Sequence, residues 1–569
     1  MRLSLSLLFS FFACTALALE PLDRFKPKEP EPLAKEQESR AAQKSTTGIK
    51  EAGNAKVTLK LRGVVFVGSR LQLHTNGVAA MDGVSVEGVP MLNSSSFTQR
   101  IQKFLGLQMS LDLVNAIAAE TAKFYKEQDH PVVSVVAPQQ DVTNGVLQLL
   151  VTEARVGEVR VLGNKHFKSS LFATHARSGG AIVMTQLEAD TAFYGRNPFR
   201  SVTAEMSPGR NSGETDITLR VQDKFPLRVF AGYDNSGVKS TDENRLFFGA
   251  NYGNFLGLGH ELSYQLTASP DFEKLIAHSA TWTMPLPWKH IFQLGGTYSE
   301  SKPDLGEGFD MAGTSWQMDA RYTIPLPDWG RLKHELTLGY DFKFTDNNLQ
   351  FGGTQVFDTP IDISEFSLAY SASLPDKIGR TAFSLTGYWS PGGMGGNNND
   401  EAFDAARQGS KADYFYAVLG LGRITKLPWG MTWSLSAKGQ LANGNLQATE
   451  QFLLGGQSTV RGYPELIAAG DQGILLRNEI YSPGFSLSKL IGFKNACDEF
   501  QFLIFYDYGY EEVKHPLQGE DKSVQLSSYG VGARWQIKQN LSAHFDYGWQ
   551  INPLGDEHSR AHVGVTLSY

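Results

Sequence analysis

The sequence predicts a transmembrane β-barrel of sixteen antiparallel strands, preceded by two smaller α+β units. Three observations predict this class. After residue 226 helical spacing vanishes, and stretches of alternating polar and apolar residues recur to the C-terminus. The connections between them alternate between short proline-bearing turns and long polar loops. The chain also opens with an export signal, yet nothing beyond it approaches the ~18 consecutive apolar residues of a membrane-spanning helix.

Each segment follows in order. Arg2, an apolar run over residues 3–13 and the small-x-small site Ala16-Leu17-Ala18 read as a signal peptide over residues 1–19, cleaved near Ala18. A lipidated Cys14 is the weaker alternative, because Phe11-Phe12-Ala13 is a poor context for it. Cleavage leaves Cys497 as the mature chain's one cysteine, which excludes an intramolecular disulfide. Residues 20–56 carry Pro21, Pro27, Pro30 and Pro32 with few large apolar residues, so a solvated linker is expected, with a short polar helix over 33–44.

Residues 57–224 read as soluble α+β. In 57–153 a strand is expected over 57–61, then helical spacing through Leu113, Ile117 and Phe124 behind Ser110 as N-cap. Two strands over 132–136 and 146–151 follow, the second entered through the Asn144-Gly145 turn. In 154–224 a strand over 156–162 precedes a short helix over 167–176. A capping box, Thr185-x-x-Glu188, opens another helix, and strands over 202–206 and 215–221 close the unit. Two successive units is the economical reading; a single larger α+β domain is the other.

Residues 226–569 hold the barrel. Its sixteen strands centre near residues 230, 248, 265, 279, 295, 317, 338, 367, 384, 417, 436, 477, 505, 531, 545 and 564. That leaves about 21 residues per strand and connection, against the 9–11 that cross a bilayer when tilted. Short turns carry Pro285-Leu286-Pro287-Trp288, Pro325-Leu326-Pro327, Leu374-Pro375-Asp376 and Leu427-Pro428-Trp429-Gly430; long loops are expected over 346–360 and 390–410. Tryptophans beside the short turns suit an interfacial girdle. The mean hydropathy of −0.25 is compatible with a membrane protein of this kind, because only alternate residues face lipid. The 57 glycines, about 10% of the chain against roughly 7% in average proteins, suit many strands and tight turns.

The longest structureless connection runs over 443–470 and contains Val460-Arg461-Gly462-Tyr463. A loop of this length is functional or disordered. In the thirteenth strand Phe500, Phe502, Ile504, Tyr506, Tyr508 and Tyr510 share the lipid face, which turns Leu503, Phe505, Asp507 and Gly509 to the lumen. A poorly hydrated carboxylate needs a partner. Arg461 could bind Asp507 bidentately, with Gly462 allowing close backbone approach and Phe505 a surface for stacking. On the residues alone, an Arg461 solvated in an external loop remains the alternative.

The pair V-R-G-Y in the long loop and F-x-D-x-G, as Phe505-x-Asp507-x-Gly509, resembles the signature of two-partner secretion transporters, the haemolysin-activator family within the outer-membrane insertase superfamily. Ala137-Pro138-Gln139-Gln140, Asn144-Gly145 and Val151-Thr152-Glu153 are similar to the segment closing that family's first POTRA domain. Val161-x-Gly163-Asn164 resembles the opening of the second, and Tyr233-Asp234-Asn235-Ser236-Gly237 the start of its barrel. The resemblance implies two periplasmic POTRA domains, at 57–153 and 154–224, and a sixteen-stranded outer-membrane barrel over 226–569. It further implies an inward-folded loop held by Arg461 and Asp507, and an N-terminal plug helix within 20–56. It implies as partners a secreted exoprotein, large and β-helical, and outer-membrane lipid. The aromatic C-terminus, Tyr569, resembles the signal read by the barrel assembly machinery. Two departures stand out: the long stretch 69–96 before the first helix, and Asp129-His130-Pro131 where the family has Gly-Tyr.

No Walker loop, metal-ligand cluster or nucleophile elbow is present, and His260-Glu261 and His334-Glu335 lack the second histidine of a zinc-protease motif. No enzyme, metal or cofactor is therefore expected, and a net charge of −7 gives no nucleic-acid footprint. An assembly factor for other barrels is the alternative function. A diffusion porin would need neither the α+β units nor the V-R-G-Y loop.

Overall fold

The computed structural model describes residues 21–29, 59–304, 309–351, 354–490, 492 and 497–569. The signal peptide and the helix expected over 33–44 lie outside them. The described residues form two compact units, one spanning 59–225 and the other comprising 226–569 with the segment 21–29.

The first half of the smaller unit is a four-stranded sheet in the order Gly83–Glu87, Gly63–Val67, Val146–Glu153, Val133–Val136. The first two pairings are parallel and the last is antiparallel. Helices Ser95–Gln102 and Leu111–Glu127 start at Ser94 and Ser110, whose hydroxyls accept the N–H of Phe97 and Leu113. The helices press Phe97, Ile101, Ile117 and Phe124 onto Phe66, Leu147 and Leu149. The strand expected over 57–61 begins instead at Gly63, and the strand Gly83–Glu87, inside the long stretch 69–96, adds an edge that the sequence did not announce. Gly63–Val67 escapes a period-two reading because both its faces are covered. Val65 and Val67 pack under Leu73, Val78 and Met81 on the side away from the helices, so the strand is apolar throughout.

The second half is a three-stranded sheet, ordered Arg155–Leu162, Glu214–Asp223, Arg200–Pro208, with one α-helix, Met184–Tyr194. The helix expected over 167–176 is only a 3-10 turn, Ser169–Leu171. The N–H of His175 goes to Asp190 and that of Ala176 to the Thr174 hydroxyl, side-chain bonds that compete with helical ones. The capping box also fails to form: Thr185 lies inside the helix, and Val183, at the N-cap, has no capping side chain. Asp129, from the first half, takes its place. Its carboxylate accepts the N–H of Thr185 at 3.0 Å and the Thr185 hydroxyl, and its carbonyl accepts the N–H of Met184. Asp129 sits at φ +68°, a left-handed position that glycine takes without strain and aspartate tolerates.

This cap joins the two halves and is testable. Asp129→Ala removes an N-cap worth about 1 kcal/mol and adds left-handed strain. Amide exchange over 184–194 should be slowest in wild type, faster in Asp129→Gly and fastest in Asp129→Ala. Equal exchange in all three would contradict a capping role.

The larger unit is a closed antiparallel barrel. Its strands 1–8 are Leu227–Asp234, Arg245–Phe255, His260–Ala268, Leu275–Pro285, Ile291–Ser301, Phe309–Pro325, Lys333–Phe351 and Ile361–Pro375. Strands 9–16 are Gly379–Pro391, Asp413–Lys426, Thr432–Ala442, Gln472–Tyr481, Asp498–Glu512, Ser523–Ile537, Leu541–Gln550 and Ser559–Ser568. All sixteen expected centres fall within them. Strand 16 pairs with strand 1 from Gly564 opposite Asp234 to Ser568 opposite Phe230, and this leaves no open edge. The loop expected from residue 346 begins later: strand 7 runs to Phe351, and a short strand, Thr354–Asp358, folds back on its end. The loop after strand 9 contains a helix, Asp400–Ala406, capped by Asn399.

The two-residue period sorts the wall. In strand 13 Phe502, Ile504 and Tyr506 are exposed, whereas Leu503, Phe505 and Asp507 are buried. Trp288, Trp329 and Trp429 stand exposed at three of the short turns.

Candidate functional site: a loop docked in the barrel

Between strands 11 and 12 the chain turns inward. Ala448–Glu450 forms a 3-10 turn, and Phe452–Leu454 pairs with Ala468–Gly470 as a short hairpin that carries the V-R-G-Y tip. Phe452, Leu454, Val460 and Tyr463 pack with Leu475 and Leu526 of strands 12 and 14. A Cβ on Gly509 would come within 2.9 Å of the Leu454 and Val460 side chains, so the wall is bare where the hairpin rests on it.

Arg461 is fully buried at the end of this tip. Its Nε donates to Oδ2 of Asp507 at 2.7 Å and its Nη2 to Oδ1 at 2.8 Å, a bidentate pair. Its own backbone N–H also reaches Asp507, at 3.2 Å. The guanidinium lies over the Phe505 ring, 3.6 Å from the centroid. On its other side Nη1 is 2.8 Å from Glu479 of strand 12 and 3.5 Å from Asp546 of strand 15. Arg534 holds Asp546 at 2.9 Å, and Arg477 stands 3.7 Å from Asp507. Three guanidiniums thus meet three carboxylates, so the charges offset one another around the buried Arg461 and Asp507.

The neighbours of Arg461 seat the tip by its backbone. Gly462, at φ +90°, donates its N–H to Nε2 of His562 at 3.1 Å, and its carbonyl accepts from Gln550 at 2.7 Å. A Cβ on Gly462 would meet the Gly548 backbone at 2.9 Å, so two glycines permit the approach. The Tyr463 hydroxyl lies within hydrogen-bond distance of the carbonyls of Asn552, at 2.8 Å, and Ser527, at 3.0 Å. The structure therefore brings Val460, Arg461, Gly462, Tyr463, Phe505, Asp507 and Gly509 together. Glu479, Asp546, Arg477, Arg534, His562 and Gln550 complete the site and were not anticipated. Each has lumenal parity on strands 12–16, a signal available from alternation but not from motif.

The segment 21–29 also lies in the barrel, contrary to the solvated linker expected there. Its turn Leu22–Phe25 buries Leu22 and Phe25 against Leu275 and Ala277 of strand 4, and each such burial contributes roughly 1.5–3 kcal/mol. Arg24 donates to Glu465 of the docked loop at 2.9 Å, Lys26 lies 3.8 Å from Asp319, and Lys28 lies 3.3 Å from Asp234. The segment thus touches both wall and loop.

The chain belongs to the family of haemolysin secretion/activation proteins ShlB/FhaC/HecB, whose model matches residues 213–535; a POTRA domain of the ShlB type matches residues 79–154. It is 26% identical over 454 residues to the heme/hemopexin transporter protein HuxB of Haemophilus influenzae strain 86-028NP, covering 76% of each chain. It is also 26% identical over 465 residues to the outer membrane transporter CdiB of Dickeya dadantii, covering 78% of this chain and 77% of that one. The structure of CdiB from Escherichia coli superposes with a TM-score of 0.73 at 19% identity, covering 93% of this chain and 94% of that one, and shares the fold. The protein is accordingly an outer-membrane transporter with periplasmic POTRA domains that acts with a secreted partner protein.

Proposed function

We propose that the partner is a large β-helical exoprotein, captured unfolded at a POTRA strand edge by β-augmentation and threaded through the barrel. The observation that supports this most is the buried Arg461–Asp507 pair, which holds the tip of the 29-residue connection 443–471 inside the lumen instead of leaving it outside as a porin loop. Folding of the partner outside the cell would make export directional, since the chain carries no nucleotide-binding motif, and we read it as a transporter without catalysis. We infer that residues 1–19 are the removed signal, that 57–153 and 154–224 are the two POTRA domains, and that Pro21–Glu29 obstructs the resting pore. Insertion by the barrel assembly machinery fits the aromatic end of strand 16. Val460, Arg461, Gly462, Tyr463, Phe505, Asp507 and Gly509 then act as the lock that keeps the loop in its export-competent arrangement.

Depletion of the protein, followed by proteomics of the outer membrane and the culture medium, distinguishes the two readings. Loss of one secreted protein with other barrels intact is the expected result. A general loss of outer-membrane barrels would establish an assembly factor instead.

A further inference from the structure

The docked loop is fastened at a second place. Glu450, at its N-terminal end, is buried, and Lys343 of strand 7 donates to its Oε1 at 2.6 Å. The same ammonium donates to Glu365 of strand 8 at 3.0 Å. Two hydroxyls of strand 10 complete the cluster: Tyr416 donates to Glu450 at 2.7 Å and Tyr414 to Glu365 at 2.9 Å. These walls, strands 7, 8 and 10, differ from strands 12–16, which hold the V-R-G-Y tip. The loop is therefore a strap across the lumen with one end on each group of strands.

The two ends are built differently. At the tip, backbone lies on backbone at Gly462 and Gly548, and a planar guanidinium is gripped bidentately over an aromatic ring. At the base, Glu450 reaches the wall through flexible side chains, and Lys343 is a point charge without a fixed fork. Above it Gln447 donates to Ser410 and to the carbonyl of Phe403, both in the loop after strand 9. Arg407 of that loop pairs with Asp471, the residue that closes the strap. Side-chain contacts of this kind part and re-form without backbone strain, whereas the tip cannot be displaced without moving the glycines apart.

We propose that Lys343 and Glu450 form the releasable latch of the pore: the base of the strap swings off strands 7, 8 and 10 to admit the polypeptide while Arg461 stays docked. Breaking this latch shifts the population toward the open pore. The inference rests on the export reading, and the test separates the two.

Full-length Lys343→Cys/Glu450→Cys protein in a Cys497→Ser background is reconstituted in planar bilayers, and the ionic current in potassium chloride is recorded. Heat-modifiable electrophoretic mobility verifies that the barrel has folded. Before cross-linking, the double variant should be open several-fold more of the time than wild type, as should Glu450→Gln. A short cleavable bis-thiosulfonate should close it, and reductant should reopen it. In cells, the cross-linked protein should stop exporting the partner, and single-cysteine variants treated alike should continue. Wild-type current in the uncross-linked and Glu450→Gln variants, or undiminished export after cross-linking, would overturn the latch. Absence of any exported partner with the wild-type protein would count against the export reading and leave the current measurement to decide the latch.

Discussion

Replacing Arg461 with alanine should cut export of the partner protein by about two orders of magnitude while the barrel remains assembled at normal abundance. The side chain is buried among Asp507, Glu479 and Asp546, and its removal leaves those carboxylates short of their central cation. Breaking a buried pair by deleting one member costs about 3–5 kcal/mol. That cost falls on docking of the loop, because the contacts that close the barrel are backbone ladders in which Arg461 takes no part. Arg461→Lys keeps the charge but loses the two-pronged grip on Asp507 and the flat contact with Phe505, and it should rescue export only weakly. Asp507→Ala should match Arg461→Ala, since it removes both prongs of the Arg461 grip and the acceptor of the Arg461 backbone N–H. Export and surface proteolysis of the loop, measured together, check this. Normal export by Arg461→Ala with a protected loop would exclude the lock.

A substitution that changes no charge should be nearly as damaging. A Cβ on Gly548 would lie 2.7 Å from the backbone nitrogen and 2.8 Å from the Cα of Gly462. Both atoms belong to the backbone of the tip, so no side chain can swing aside. Overpacking of this kind costs about 1–3 kcal/mol. It acts directly on the seat of the tip, where Gln550 and His562 bond the Gly462 peptide. Gly548→Ala should therefore raise proteolysis of the loop and cut export by an order of magnitude or more. Gly555→Ala, in the connection after strand 15 with nothing near its Cβ position, serves as the comparison and should leave export unchanged apart from its own left-handed backbone. Equal export by Gly548→Ala and wild type would show that close seating is dispensable.

The barrel was legible in the sequence because strands such as strand 13 and strand 3 turn one face inward, and that leaves a two-residue period. Strand 13 is typical: its parity alone turned Asp507 inward. The elements that escaped are those whose environment is not periodic. Gly63–Val67 is covered on both faces and so reads as a plain apolar run. The chain over 167–176 is apolar enough for a helix, but Thr174 and Asp190 take its amides. Helix Met184–Tyr194 is capped by Asp129, a residue 56 positions distant, which no local pattern reveals. The candidate site divides in the same way. Arg461 and Asp507 could be paired on charge, parity and resemblance. Which other lumenal charges converge on one loop tip depends on the circumference of the barrel, so Glu479 and Asp546 stayed hidden. Pro21–Glu29 was misread because Leu22 and Phe25 find their apolar partners only in strand 4.

The central claim is that Arg461 and Asp507 act as one unit in export, and a double-mutant cycle measures this most directly. Export rate is compared among wild type, Arg461→Ala, Asp507→Ala and the double variant, each normalised to the amount of folded barrel. Residues that act only through each other are non-additive. The double variant should export no worse than either single variant. Single variants that export normally, or losses that multiply in the double variant, would contradict the lock.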